Sequence, residues 1–348
     1  MVKTPFKIII VLSLIAWIGV PGKTNAVEIA KYGSDYLGRG VGVRVLSLGG
    51  AGTAAVNDVS AGFWNPALLL NAPINSVGLM HTESFAGAVN FDYLAGRLPT
   101  SNHNLGLTLI RSGIDNIPNT QGALVDNGLD GIPNTGDAGE GNGQLDPGER
   151  LNQDAITYFN ASNYDLLLSY ALEYTEKLTF GANFKLLYKF IANESAFGLG
   201  FDAGAAYKAA SWLNVGGTVR NFTTTLVAWS TGRKEIYKPE IRLGAAGHFS
   251  VDALKMQIQP MFDFIYYTDG RRINSLVNVF GSSLQYAAGI EFVLQGNLAL
   301  RVGSNSTEDF TAGLGVSLGK ARVEYGFTPS SAQNELGNSH RIGLIWQF

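Results

Sequence analysis

Between Asp126 and Glu149 the chain reads DNGLDGIPNTGDAGEGNGQLDPGE, the one stretch whose residue types and spacing suggest inorganic chemistry. A calcium loop of the EF-hand kind wants oxygen ligands at positions 1, 3, 5, 9 and 12 and glycine at 6 for the sharp turn. Started at Asp126, the register places Asp130 fifth, Gly131 sixth, Asn134 ninth and Asp137 twelfth, with Gly128 where the third ligand belongs. A second register, started at Ala138, gives Glu140, Asn142, Gly143, Asp146 and Glu149, and Asp137 would have to substitute for its missing first ligand. Calcium takes six to eight oxygens. Asp126, Asp130, Asn134, Asp137, Glu140, Asn142, Asp146 and Glu149 are therefore the candidate calcium ligands, enough for one or two ions. The competing expectation is a solvated acidic loop without an ion. Either way the expected purpose is to stiffen an exposed loop; the residues do not suggest catalysis.

Elsewhere the chemistry is sparse. His81, His103, His248 and His340 are scattered, and no zinc-protease, nucleophile-elbow or phosphate-loop spacing appears, so a non-enzymatic protein is expected. There is no cysteine, which excludes disulfides, thiolate metal sites and a lipidated N-terminus. The net charge of −3 offers no footprint for nucleic acid. Only 15% of residues are charged, against about 25% in ordinary soluble domains, while 43 of 348 residues are glycine and 11% are aromatic.

What positions the acidic stretch is a long series of alternating segments. In Lys177 to Phe190, Leu178, Phe180, Ala182, Phe184, Leu186, Tyr188 and Phe190 share one face, and Asn183, Lys185 and Lys189 lie on the other. Such period-two patterning predicts β-strands with one apolar face. Fourteen are expected, at 75–85, 88–98, 104–112, 162–174, 177–191, 195–210, 212–222, 239–249, 254–268, 283–293, 296–304, 309–318, 320–328 and 338–348. The connections alternate between turns of a few residues and longer loops such as 113–161, 223–238 and 269–282. Strands of about ten residues with short turns on one side and long loops on the other are the signature of a transmembrane β-barrel. The second face carries Lys185, Lys189, Arg242, Arg301, Arg322 and Arg341 against Asp165, Glu173, Glu240, Glu291 and Glu324, and is expected to face the lumen.

The two ends agree. Lys3 and Lys7, an uncharged run from Ile8 to Val20, and Thr24-Asn25-Ala26 form a secretory signal, so residues 1–26 are expected to be removed. The last strand alternates Ile342, Leu344, Trp346 and Phe348. Its Arg341, Gly343, Trp346 and Phe348 resemble the C-terminal signal read by the barrel-assembly machinery of bacterial outer membranes. The expected location is the outer membrane of a Gram-negative-type bacterium, with outer-membrane lipid as a partner.

Residues 27–73 break the alternation, with Gly33, Gly38, Gly40, Gly42, Gly49, Gly50 and Gly52 crowded together. A turn-rich piece leading into a barrel predicts an N-terminal plug or hatch, with 74–348 as the barrel. The runs RGVGVRVLSLGGAGTAAVNDVSAGFWNPALL, HTESFAGAVNFDYLAGRLP and LGLTLIRSGIDNIPNT resemble the PorV/PorQ family of outer-membrane proteins, which is related to FadL-type channels. Trp64, Asn65, Pro66 and Ala67 match the turn motif shared by both groups, and Asp58 and Ala61 fit its surroundings. The resemblance implies a FadL-like, all-β, 14-stranded antiparallel barrel with a plug. It implies a role in protein secretion or surface attachment of the type IX kind, with a translocon or cargo proteins as partners. The alternative it leaves open is a FadL-like transporter of hydrophobic small molecules, which would require an apolar lumen and a kink or opening in the wall.

Overall fold

The computed structural model describes residues 29–30, 38, 40–73, 75–84, 87–99, 104–269, 275–279, 281–308, 310–330 and 337–348. The signal expected at 1–26 lies outside the described residues. Fourteen strands form the wall: β1 Ser76–Ser84, β2 Val89–Pro99, β3 Asn104–Asn119, β4 Thr157–Thr175, β5 Leu178–Ile191, β6 Glu194–Ala210 and β7 Leu213–Arg220. The ring continues through β8 Glu240–Gly247 (extended by Phe249–Val251), β9 Met256–Tyr267, β10 Ser282–Leu294, β11 Leu298–Asn305, β12 Thr311–Leu318, β13 Ala321–Thr328 and β14 Ser339–Gln347. Each strand pairs antiparallel with the next. β1 pairs with β14, Leu79 opposite Leu344, and the ring closes without an edge.

Alternation sorts the side chains as the sequence pattern requires. Leu79, Leu94, Leu107, Leu168, Phe201, Leu243, Phe264, Leu300, Leu314 and Ile342 point out and are exposed, whereas Asp165, Asn183, Lys185, Arg242, Glu291, Arg301, Glu324 and Arg341 point in and are buried. Glu173 lies on the same inward face, near the end of β4, where it is solvent-exposed.

Two loops differ from expectation. The 223–238 connection is a hairpin, Thr225–Trp229 against Lys234–Tyr237, that carries the wall upward: Leu226 lies opposite Leu199 of β6. The arms of the 113–161 connection also stay paired past a bulge between Ile114 and Ile117, so the loop proper spans only Thr120 to Ile156. A local break in polar–apolar alternation marks a bulge as readily as a strand end.

Candidate functional site

Residues 40–73 lie against the inward faces of the wall strands. Within them are α1 Val43–Leu46, α2 Ala61–Trp64 and a 3-10 turn Pro66–Asn71. Asn65 organises the segment. Its Oδ1 accepts from Ala67 N at 3.1 Å and caps the turn, with Pro66 in the first position where no donor is needed. Its Nδ2 donates to Thr53 O at 2.7 Å within the segment and to Ala205 O of β6 at 3.1 Å. Trp64 Nε1 donates to Val41 O at 2.7 Å, and the Arg220 and Arg242 guanidinium groups lie 5.4 and 5.2 Å from the Trp64 ring. The four motif residues thus tie the segment to itself and to the wall. The apolar side chains Val45, Val59, Phe63 and Trp64 join Met80, Phe91, Ile110 and Leu167 of the wall in one buried cluster.

A collar of inward glycines makes this fit possible. A Cβ at Gly289 would stand 2.7 Å from Leu48 Cα, one at Gly343 2.7 Å from Val43 Cγ2, and one at Gly78 2.6 Å from Val59 Cγ2. At Gly181, Gly204, Gly216, Gly303 and Gly313 it would strike Ala67, Asn65, Thr53, Gly49 and Ser47 at closer range still. Any side chain at these positions would occupy space now filled by the segment. Asp263 of β9 adds a polar clamp, its Oδ2 accepting from Gly52 N, Thr53 N and Thr53 Oγ1 at 3.0, 3.0 and 2.7 Å.

Charge holds the segment as well. Arg44 Nη2 meets Glu291 Oε2 at 2.6 Å, Arg301 Nε meets Glu291 Oε1 at 2.7 Å, and Arg301 Nη1 lies 3.0 Å from Glu324. Arg322 then links Glu324 at 3.2 Å to Asp58 at 2.8 Å. Three cations alternate with three anions, beginning and ending on the segment. Gly315 lets Arg301 cross β12 to reach Glu324, since a Cβ there would stand 2.9 Å from Arg301 Nη2. In a dry interior such charges persist only when paired on every side.

The wall is interrupted at one level. β7 stops at Arg220 and pairing resumes at Thr225, with Asn221 and Thr224 at φ 51° and 60°. A β-branched residue in that region is strained. Opposite the gap, the regular ladder lapses from Gly200 to Asp202, where one backbone bond remains, Phe222 N to Phe201 O at 3.0 Å, and the neighbouring strand interposes Pro239, which has no N–H to give. Polar side chains fasten the gap from inside. Asn221 N donates to Asp202 Oδ1 at 2.9 Å, Lys185 Nζ reaches Asp202 at 2.6 Å, and Thr225 Oγ1 bonds Asn221 Oδ1 at 2.9 Å. Nothing in composition marks this interruption beyond the polar run Asn221-Phe222-Thr223-Thr224-Thr225.

The acidic loop is arranged differently from the calcium expectation. Asp126 accepts from Gly141 N at 2.7 Å and Gly143 N at 2.8 Å, and Glu149 from Gly128 N at 2.8 Å and Asp146 N at 2.9 Å. Asp137 accepts from Asp130 N at 2.9 Å, and Glu140 from Gly136 N at 2.6 Å and from Asn134 N. Asp130 and Asn142 each bond the amide two residues on, at 2.8 and 2.7 Å, and Asn142 Nδ2 donates to Asp146 at 2.7 Å. Seven of the eight side chains take part, Asn134 contributing only its backbone amide, and Asp126, Asp137 and Glu149 tie distant parts of the loop together. Among the described residues no three Asp, Glu or His side chains converge as a metal site, so the calcium assignment finds no support in this geometry. The amides of Gly143, Gly141 and Asn142, Gly143 foremost, and a hydrogen bond with the Glu149 side chain hold the Asp126 carboxyl below its ordinary value against desolvation.

At the chain end, Arg341 points inward to Thr328 Oγ1 at 2.6 Å and Glu308 at 3.2 Å, and Gly343 faces Val43. Trp346 and Phe348 are exposed on the outside. The described histidines sit apart in function: His81 Nδ1 is 2.7 Å from Asp92, His248 bonds Asn214, and His340 bonds Tyr325. Sequence reading singled out none of Arg44, Arg97 or Asp263, nor any glycine of the collar but Gly343; the inward parity of the wall residues was legible, but what they face was not, and Arg44 lies outside the alternating strands.

No protein-family model matches the chain, and neither does any curated protein. Its fold is similar to that of solved bacterial channels. The toluene transporter TodX of P. putida is 13% identical, with a TM-score of 0.56 over 89% of this chain and 99% of that one. The CymD monoaromatic hydrocarbon channel is 13% identical, with a TM-score of 0.54 over 89% and 98%. The Ralstonia pickettii toluene transporter TbuX is 11% identical, with a TM-score of 0.52 over 88% and 97%. The PorV/PorQ resemblance therefore has no family or sequence match behind it, and the secretion reading it implied is corrected: the solved structures that share this fold are hydrocarbon channels.

Proposed function

We propose that the protein is an outer-membrane channel for small hydrophobic molecules, of the FadL-like kind. The observation that carries this reading is the backbone likeness to three hydrocarbon channels along nearly their whole length. Most of the outward face is apolar and most of the charges lie within, as a bilayer favours, since a lipid-facing Arg or Lys costs about 2–4 kcal/mol at the midplane; the outward His81, Asp92 and Arg111 pair with one another toward the long-loop end. Aromatic pairs stand outside the wall near both rims, Trp212 with Phe249 and Tyr174 with Phe180 at one, Tyr188 with Phe190 at the other. In this reading the short turns face the periplasm and the acidic loop is extracellular. Residues 27–73 are the plug, and Arg341, Gly343, Trp346 and Phe348 serve barrel assembly.

A hydrophobic solute needs an apolar path and a way past the wall. The buried cluster around Phe63, Phe91, Ile110 and Leu167 supplies the first if the plug shifts, and the break at Asn221 to Thr224 is the natural place for the second. The test uses the absence of native cysteine. Gly200→Cys with Thr225→Cys places the two residues across the break, where a Cβ at Gly200 would lie 3.1 Å from Thr225 Cβ. Vesicles carrying the reduced protein should take up labelled toluene faster than empty vesicles, oxidation should slow uptake at least fivefold, and reductant should restore it. Uptake no faster than in empty vesicles would remove the transport reading.

A further inference from the structure

The outer wall carries an ionic row that nothing in the lumen explains. His81 of β1 stands opposite Asp92 of β2, and Asp92 opposite Arg111 of β3. Their neighbours Met80, Thr82, Phe91, Tyr93, Ile110 and Ser112 are buried, so by alternation these three side chains face out. His81 Nδ1 lies 2.7 Å from Asp92 Oδ1, and Arg111 Nη1 lies 3.3 Å from Asp92 Oδ2. Along the same row Tyr164 stands opposite Arg111, and Tyr188 opposite Tyr164. Outward aromatics of this kind mark the level where lipid headgroups meet acyl chains.

Two residues nearer the short turns, Leu79, Leu94 and Leu109 stand side by side, with Leu344 on the other flank of Leu79. The ionic row and these leucines line a single cup of about 400 Å³ that opens outward. Its rim is polar at headgroup level and its floor is apolar toward the midplane.

The rim is acidic. Arg111 also meets Asp115 at 3.2 Å, and Glu83 Oε1 lies 3.7 Å from His81 Nε2, so three carboxylates surround one guanidinium and one imidazole. The Asp92 contact fixes the imidazole proton on Nδ1, which leaves Nε2 of the neutral ring an acceptor turned toward the Glu83 carboxylate. Two acceptors facing each other call for a donor between them. Arg111 does not supply it, because its Nη1 and Nη2 donate to Asp92 and Asp115. A primary ammonium brings the missing positive charge and three N–H groups. A phosphate or carboxylate head would be repelled by the same three carboxylates, and a quaternary ammonium has no N–H to donate.

We infer that this cup is a docking site for a membrane lipid with a primary ammonium headgroup. The ammonium sits between Glu83, His81 and Asp92, and an acyl chain lies over Leu79, Leu94 and Leu109. The site depends on the bilayer and not on what the lumen carries.

The test is native mass spectrometry of the purified full-length barrel, released from detergent at pH 8 with equal amounts of phosphatidylethanolamine, phosphatidylcholine and phosphatidylglycerol. Phosphatidylethanolamine should be retained at least fivefold over each of the others. Glu83→Gln should cut that preference at least threefold. Leu94→Trp, which fills the cup and leaves the ionic row in place, should abolish it, whereas Leu300→Trp on the outward face of β11 should leave it unchanged. A heat-dependent gel shift reports that each variant is folded. Equal retention of phosphatidylcholine would reduce the cup to acyl contact, and a preference for phosphatidylglycerol would make Arg111 an anion site; either result overturns the proposal. A preference that survives Glu83→Gln or Leu94→Trp overturns it as well. So does a dimer mass that Leu94→Trp dissolves, which would give this face to a second copy of the chain.

Discussion

Arg44 and Glu291 stand 247 residues apart in the chain, yet their side chains meet at 2.6 Å with 2% and 4% of their surface exposed. Glu291 is shared: Arg301 holds its other oxygen, so one carboxylate neutralises a guanidinium from the segment and another from the wall. Glu291→Ala should therefore destabilise the barrel by about 3–5 kcal/mol, the usual result of stranding a buried charge. Urea unfolding followed by tryptophan fluorescence measures it. A loss within about 0.5 kcal/mol would mean that water already reaches these groups.

The collar makes a different demand. Gly303→Val forces a side chain into the backbone of Leu48 and Gly49, which the closed wall cannot relieve by moving outward. Overpacking of this kind costs about 1–3 kcal/mol. The expected outcome is a folded barrel with a displaced segment, read as raised ion conductance in planar bilayers. Conductance equal to the parent would place the segment elsewhere.

Asn65 joins three pieces of backbone with one side chain. Asn65→Ala leaves the buried carbonyls of Thr53 and Ala205 without this donor and the turn at Pro66 without its cap. We expect a loss of about 1–3 kcal/mol and faster proteolysis within residues 40–73. Asn65→Asp should not rescue it, because a carboxylate accepts where Nδ2 must donate.

The acidic loop should hold its shape by its own amides. Asp126 has a lowered carboxyl pKa, so its contribution is complete above the unfolded value of about 3.9 and is lost as pH falls through the lower folded value. The protection of Gly141 and Gly143, relative to the intrinsic exchange rate at each pH, should accordingly hold from pH 7 through the ordinary carboxylate range and fall only below it, and Asp126→Ala should abolish the protection at every pH. The same protection is expected in chelator and in millimolar calcium. Protection that appears only with calcium would restore the cation reading of Asp126 to Glu149.

How far the chain could be read depends on the range of the physics. Alternation is local, and it placed all fourteen strands, because a residue's side of the wall follows from its neighbour's. The same rule separated outward Leu79 and Leu94 from inward Lys185, Arg301 and Glu324. The hairpin at Thr225–Tyr237 escaped because Asn221 and Thr224 interrupt the alternation, and a broken pattern reads as a loop. Spacing alone left Asp126 to Glu149 open, since regular acidic positions suit a metal and suit backbone amides equally; the direction of each carboxylate is a matter of tertiary structure.

By itself the amino-acid sequence determined the closed β-wall, its apolar exterior and the presence of an irregular leading segment, since each rests on residues a few positions apart. Only the tertiary structure decided what fills the ring. That Gly303 is a socket for Leu48 and that Arg44 answers Glu291 are facts about groups brought together from distant parts of the chain. Closing the ring creates the lumen, and only inside it do those distances become contacts.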